Sequence, residues 1–370
     1  MLAKKENKMS EAVVENNTQL QPLERKNYWG LDIAKFICAL MIISAHFASE
    51  WGSFPQMIDY AFSIYVVAVP FFFACSGFLF FVKLNQLPTK EAQWSYFVKY
   101  EKRIWIMYGC WTAVYLPFII ASWVKNGTFG MEKILNWLHT SLVFQTYATI
   151  WFLPALAVGI AITYFLVKKV PLKWIIVISC VLYVIGMFGY TYYFVVEGTF
   201  IGKIYEIYMI AFKTIRNGLF NGVPFLVMGY MFTKKEIKPN KKALLINGAL
   251  AIVSLGLMVV ECFILKLKVQ VSGMDINIFV VPFTYFFMVT AMNLELKDRK
   301  LFVWLRKLSL LMFVSQRLFL TALPVVLPSV FGAIYSNSYV GLIAVLVLTI
   351  GFSVAFIKIS EKVKFFKYMI

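Results

Sequence analysis

Ten stretches of this chain are apolar almost throughout, and each is about as long as a bilayer is thick. They run approximately over 32–50, 61–82, 104–124, 150–167, 174–195, 215–232, 243–265, 276–294, 309–327 and 339–357. A helix needs roughly 20 mainly apolar residues to cross a membrane. In lipid the backbone must satisfy its own hydrogen bonds, which helices and closed barrels do. Hydrophobic residues make up 61% of the 370 and charged ones 15%, well outside the balance of a soluble domain. Short polar loops join the stretches, and none is long enough to hold a separate soluble domain. The expected fold is all-α: a polytopic membrane domain of about ten transmembrane helices over 29–358. A flexible cytoplasmic tail, 1–28, precedes it and a cytoplasmic C-terminal tail, 359–370, follows.

The formal net charge of +18 is distributed as a membrane protein distributes it. If the first span runs from inside to outside, the cytoplasmic segments hold 27 of the 36 Lys and Arg, and the other side holds Lys125, Lys133, Lys203, Lys213, Arg216, Lys266 and Lys268. That asymmetry follows the positive-inside rule and puts both termini in the cytoplasm. Basic loops suit anionic lipid headgroups, so the expected partner is the bilayer and no nucleic acid. Residues 1–28 are too polar to form a core and lack the apolar centre of a cleavable signal peptide. Cys38, Cys75, Cys110, Cys180 and Cys262 all fall in apolar spans without paired spacing, as small packing residues do.

Two loops carry a pattern. In 129–145, Ile134, Leu135, Leu138 and Leu142 recur at helical spacing, which predicts an amphipathic helix at the outer interface or folded over the bundle. Segment 83–103 is basic and aromatic, with Trp94, Tyr96, Phe97, Tyr100 and Arg103, and reads as a cytoplasmic interfacial segment.

Ionisable groups inside the spans are costly in lipid and so are functional suspects. The first span carries Asp32, Lys35 and His46. On a helix Lys35 and His46 project within ~20° of each other and about 16 Å apart, with Asp32 within ~40° of the same face and about 21 Å below His46. Asp32 and Lys35 can pair at i,i+3. An imidazole suits proton transfer, although a hydrogen-bonded packing role is the competing reading. Arg317, beside Ser315 and Gln316, falls near mid-membrane as a structural hub or an anion binder. By position Arg216 reads as a snorkelling interface residue, Trp151 as an aromatic-belt anchor and His139 as a packing residue. Glu261, near the outer end of its span, is ambiguous. Two histidines on separate segments cannot make a His-rich metal centre, and no nucleotide-loop, G-x-S-x-G or H-E-x-x-H pattern occurs.

Over roughly residues 27–357 the chain resembles the membrane acyltransferase-3 family. The most specific element is Leu31-Asp32, then a basic residue, ten residues and His46. Lys35 stands where the family usually has Arg, so a point charge replaces a bidentate fork. Supporting matches are Pro70 through Ser76-Gly77-Phe78, Trp151-Phe152-Leu153, Arg216-Asn217-Gly218 leading to Gly229, and Leu308-Ser309 through Gln316, where many members carry His. The closest subgroup resemblance is to the membrane half of the vancomycin-resistance serine racemases, and Ser315-Gln316-Arg317 especially resembles it. Because the sequence ends at Ile370, no pyridoxal-phosphate racemase domain and no racemase activity are expected.

The resemblance implies a multi-pass protein of the bacterial plasma membrane that acts as an O-acyltransferase. An acyl group, usually acetyl, would move from acyl-CoA to a hydroxyl of a cell-envelope carbohydrate or related acceptor, without a metal. It makes His46 catalytic with Asp32 in support, assigns Lys35 and Arg103 to the acyl-CoA, and leaves Ser76, Trp151, Arg216, Gln316 and Arg317 as substrate or oxyanion candidates. Two other classes stay open. One is a transporter of a small carboxylate such as serine, or a glycan exporter, without acyl transfer. The other is a catalytically silent membrane partner.

Overall fold

A computed structural model describes residues 27–55, 58, 63–234, 240–268 and 273–370. Apart from Asn27 and Tyr28, the expected N-terminal tail lies outside them. The described residues are helical in plan, with no strand among them. Eight helices are long and apolar enough to cross a membrane. Two shorter apolar helices, Gly218–Phe232 and Val280–Asn293, occupy the places of the sixth and eighth expected spans.

The helices are α1 (Trp29–Glu50), α2 (Ala68–Asn85), α3 (Lys90–Lys125), α4 (Met131–Val143), α5 (Phe152–Lys169), α6 (Leu172–Gly189), α7 (Phe200–Phe212), α8 (Val223–Phe232), α9 (Lys241–Lys268), α10 (Val280–Asn293), α11 (Lys300–Arg317), α12 (Leu323–Val326), α13 (Pro328–Tyr335) and α14 (Ser338–Lys362). The bundle has an apolar core with polar side chains embedded in it, and apolar outer faces. Asp32, Lys35, Thr163, Asn221, Thr284, Ser315, Gln316 and Arg317 are buried, while Leu245 and Ile252 of α9 and Ile343 and Val347 of α14 face outward. In water that arrangement would leave the apolar faces of α9 and α14 unpaired; lipid is the solvent that fits them. The protein is therefore a multi-pass membrane protein.

α1 lies at the centre, packed against α2, α10, α11 and α14. α2 and α8 pack closely because small residues meet at their crossing, as helices in membranes favour. A Cβ at Gly77 would come within 2.5 Å of the Leu226 carbonyl oxygen, and one at Gly229 within 2.5 Å of Phe78 N.

Contacts between loops define two ends. At one, Trp29 Nε1 donates to Asp298, Asn85 to Thr233, Lys168 to Gln93, and the Asn240 backbone N–H to Asn293. This end gathers the Lys- and Arg-rich segments 83–103, 168–173 and 297–307. At the other, Ser53 N–H meets Ser338, Tyr147 meets Thr321, and Tyr190 meets Asp275.

Four segments differ from the sequence expectation or refine it. Most of 83–103 is not a loop, because α3 starts at Lys90, where the Thr89 side chain caps it by accepting from Ala92 N at 3.1 Å. It continues through Pro117 for 36 residues, about 54 Å at 1.5 Å per residue. The predicted amphipathic helix is α4, with none of its residues buried. α7, which was expected as loop, is a second such helix; the Thr199 side chain caps it and Phe200, Ile204, Ile207 and Ile210 are exposed. Residues Lys364–Met369 form a 3-10 helix, with Met369 buried and its carbonyl accepting from Trp111 Nε1.

A π turn follows each of two arginines, opening one helix and interrupting another. Gly218–Gly222 follows Arg216 and runs into α8, while Leu318–Ala322 follows Arg317 and runs into α12. Each π turn precedes a proline, Pro224 or Pro324, which has no N–H to return to the fourth carbonyl back. Side chains receive the carbonyls near the second break: Tyr115 donates to Val314, Tyr335 to Phe319 and Trp51 to Leu320. Broken backbone at membrane depth persists where partners of this kind satisfy it. π turns also often mark functional sites.

Candidate active site

The arginines before both π turns line one polar cavity. Its volume is about 250 Å³, and its wall includes His46, Tyr65, Gln145, Thr149, Trp151, Arg216, Asp275 and Arg317. His46 comes from α1, eleven residues beyond Lys35. Tyr65 lies on the 3-10 turn Ser63–Val67, its ring centroid 5.9 Å from the imidazole.

Arg317 organises one side of the cavity. It ends α11, is 7% exposed, and forms an ion pair with Glu50 through Nη1. Its Nη2 lies 3.1 Å from His46 Nδ1. Arginine has donors only, so Nδ1 accepts, and a neutral imidazole in this contact carries its hydrogen on Nε2. In this geometry the ring offers a donor at Nε2, and Nδ1 becomes a base only when Arg317 lets go.

Arg216 organises the opposite side. Its backbone N–H donates to Thr214 Oγ1, and the neighbouring Asn217 caps the π turn by accepting from Leu219 N and Phe220 N. The guanidinium pairs with Asp275 at 2.7 Å and lies 4.7 Å from the Trp151 ring centre, a cation–π distance. Tyr190 donates to the same Asp275 oxygen at 3.1 Å. Positional reading of Arg216 as a snorkelling residue is thus corrected: an acidic partner brought from the α9–α10 connection holds it inward. Trp151 likewise lines the cavity and stacks under Arg216.

The other sequence candidates lie elsewhere. Asp32, 2% exposed, takes Lys35 at 2.9 Å and a two-point fork from Arg306, with Nε at 3.1 Å and Nη2 at 2.8 Å. This cluster is at the basic end, about 21 Å along α1 from His46. Arg103 is exposed and donates to the Ile370 carbonyl at 2.7 Å. Gln316 is fully buried, with Nε2 bonded to the Phe313 carbonyl, and Ser76 is half-buried on α2; both are outside the cavity wall. Glu261 has a structural task, accepting from Ile278 N and Phe279 N at the start of α10 and from Tyr192. His139 contacts the Ala211 carbonyl, joining α4 to α7.

Sequence reading missed Glu50, Tyr65, Gln145, Thr149, Asp275 and Arg306. Glu50 had a signal, since it is four residues after His46 and so on the same helix face. Asp275 stands alone among apolar neighbours in Met274-Asp275-Ile276, but only the folded chain shows Arg216 opposite it. Among the described residues no three His, Cys, Asp or Glu side chains gather as a metal site.

Fold and site define a polytopic membrane protein with a polar cavity lined by one histidine and two arginines. A family model described as an acyltransferase domain, acyltransferase-3, matches residues 28–358, and the chain belongs to that family. It is similar to an amino-acid racemase of Enterococcus faecalis, 32% identical over 223 residues. It is also similar to a serine/alanine racemase of Enterococcus gallinarum, 27% identical over 214 residues. The matches cover 59% and 56% of this chain but 30% of each relative, so the chain spans about a third of their length. No solved structure matches.

Proposed function

We propose that the protein transfers an acyl group, usually acetyl, from acyl-CoA to a hydroxyl of a cell-envelope carbohydrate or related acceptor, in the bacterial plasma membrane. Family membership supports acyl transfer in general. The observation that carries the reading to this site is the contact between His46 Nδ1 and Arg317 Nη2 in the wall of a polar, membrane-embedded cavity.

The chemistry needs a base for the hydroxyl and a donor for the oxyanion. As the acceptor oxygen attacks the thioester carbon, Arg317 Nη2 turns from the ring to the developing oxyanion and frees Nδ1, which takes the hydroxyl proton. Collapse breaks the C–S bond, and the imidazolium returns the proton to the departing thiolate, giving an ester and CoA. The cavity, at about 250 Å³, suits the reacting ends and not a whole CoA. The nucleotide would stay at the basic end, which we assign to the cytoplasm, near Lys35, Arg306 and Arg103. In this reading Asp32 positions Lys35 and Arg306 and does not touch the reacting atoms. Mass spectrometry of surface polymers tests the reading: acyl esters should disappear when the protein is removed and return on complementation. Polymers that keep all their esters would refute it.

One observation favours transport instead: the similar region of the relatives belongs to proteins named amino-acid or serine/alanine racemase, and the polar cavity could hold such a solute. Proteoliposome flux of serine without acyl-CoA would favour that second reading.

A further inference from the structure

Four polar atoms in the cavity wall are buried without a hydrogen-bond partner: Nε of Arg216, Nε of Arg317, Oγ1 of Thr149 and Oε1 of Gln145. Each guanidinium is partly engaged, Arg216 by Asp275 and Arg317 by Glu50 and His46. The Nε–H of each remains available, and Arg317 is more than nine-tenths buried. Leaving such a donor unmet costs about 1–3 kcal/mol, more when it is charged. Two cations, Arg216 and Arg317, and one carboxylate, Asp275, line the space, and Glu50 pairs with Arg317 from beside it, so each guanidinium already faces one carboxylate and keeps its Nε–H free.

We propose that the cavity holds its acceptor by one carboxylate, received by the Nε–H groups of Arg216 and Arg317, with the acceptor's hydroxyl turned toward His46. Calling this ligand the acceptor rests on the acyl-transfer reading; the carboxylate site itself rests on the wall. Guanidinium groups match oxyanions through charge-assisted hydrogen bonds. A phosphate dianion would set a second negative charge against Asp275 and Glu50, where screening is weak. Thr149 Oγ1 and Gln145 Oε1 are left for hydroxyls. The cavity's 250 Å³ equals about eight liquid-water volumes, room for a small hydroxy acid or a single uronic-acid ring. The acceptor class is thus an acidic sugar or hydroxy acid, which a reaction that oxidises or otherwise installs a carboxyl group must supply.

Equilibrium dialysis of the full chain in lipid nanodiscs, without acyl-CoA, tests this. The probes are D-glucuronate against D-glucose, L-lactate against 1,2-propanediol, and inorganic phosphate. In at least one pair the acid should bind about tenfold or more tightly than its neutral counterpart, and phosphate should bind less tightly than that acid. Arg216→Lys and Arg317→Lys keep the charge but lose the Nε–H, and each should weaken acid binding by about tenfold. Asp275→Asn removes the opposing charge and should tighten it, which keeps the test open if a lysine variant fails to fold. Equal binding of acids and neutral counterparts, tighter binding of phosphate, or no acid binding by a protein with an intact thermal melt would overturn the proposal. Acid binding without acyl transfer would leave this site standing and remove the acyltransferase reading. Acyl transfer to neutral acceptors alone would do the reverse.

Discussion

At the scale of single residues, the stripe Asp32–Lys35–His46 was legible in the sequence because it lies on one helix and obeys helical arithmetic. Its partners were not, since Arg306, Arg317 and Tyr65 come from other elements and only tertiary packing delivers them. The consequence is a division of the stripe into two sites. Asp32 belongs to a buried ion cluster at the basic end, while His46 belongs to the cavity. The Arg306 fork on a 2% exposed carboxylate predicts that Arg306→Ala costs about 3 kcal/mol, the lower end for breaking a buried pair, because Lys35 remains. Arg306→Lys should recover only part of it. Unfolding in nanodiscs measures both, and adding Asp32→Asn to Arg306→Ala should not restore stability, because it leaves the buried Lys35 without its carboxylate. A single variant as stable as wild type would show the cluster to be incidental.

At the scale of elements, hydrophobic pattern fixed where helices occur but not where they break. Arg216 and Arg317 were read by depth alone. What decides their role is the π turn after each, and the signal for it was Pro224 and Pro324, seven or eight residues further on. α7 was invisible as a helix because its run of apolar residues, Phe200 through Phe212, reads as part of a loop between spans until the capping Thr199 is seen to start it. Close packing of α2 on α8 gives the element-scale prediction. Gly229→Ala places a methyl against the Ala74 carbonyl and Phe78 N, backbone atoms that cannot swing aside. Overpacking should cost about 1–3 kcal/mol, read as a lower melting temperature, whereas Gly256→Ala, whose Cβ meets nothing within 4 Å, should leave the melt unchanged. Equal melts for the two would contradict the tight crossing.

At the scale of the whole molecule, class and architecture were the most legible features, because lipid imposes length and polarity on every span. A bundle that buries a few charges in an apolar core and turns further apolar faces to lipid is the outcome. The positive-inside rule assigns the basic end to the cytoplasm. In a background with the five cysteines replaced, a cysteine at Asn126 should react with a membrane-impermeant maleimide on intact cells, and one at Lys90 only after permeabilisation. The reverse labelling would invert the topology. With that orientation, the proposed function would bring donor and acceptor to His46 from opposite faces of the membrane. The most direct test of this account is transfer of label from radioactive acetyl-CoA to envelope acceptors in membranes holding wild type or His46→Ala at equal folded amounts. A general base is worth about 10²–10⁴ in rate, so the variant should lose at least about a hundredfold with its melting temperature retained. Undiminished transfer by folded His46→Ala would place the chemistry elsewhere.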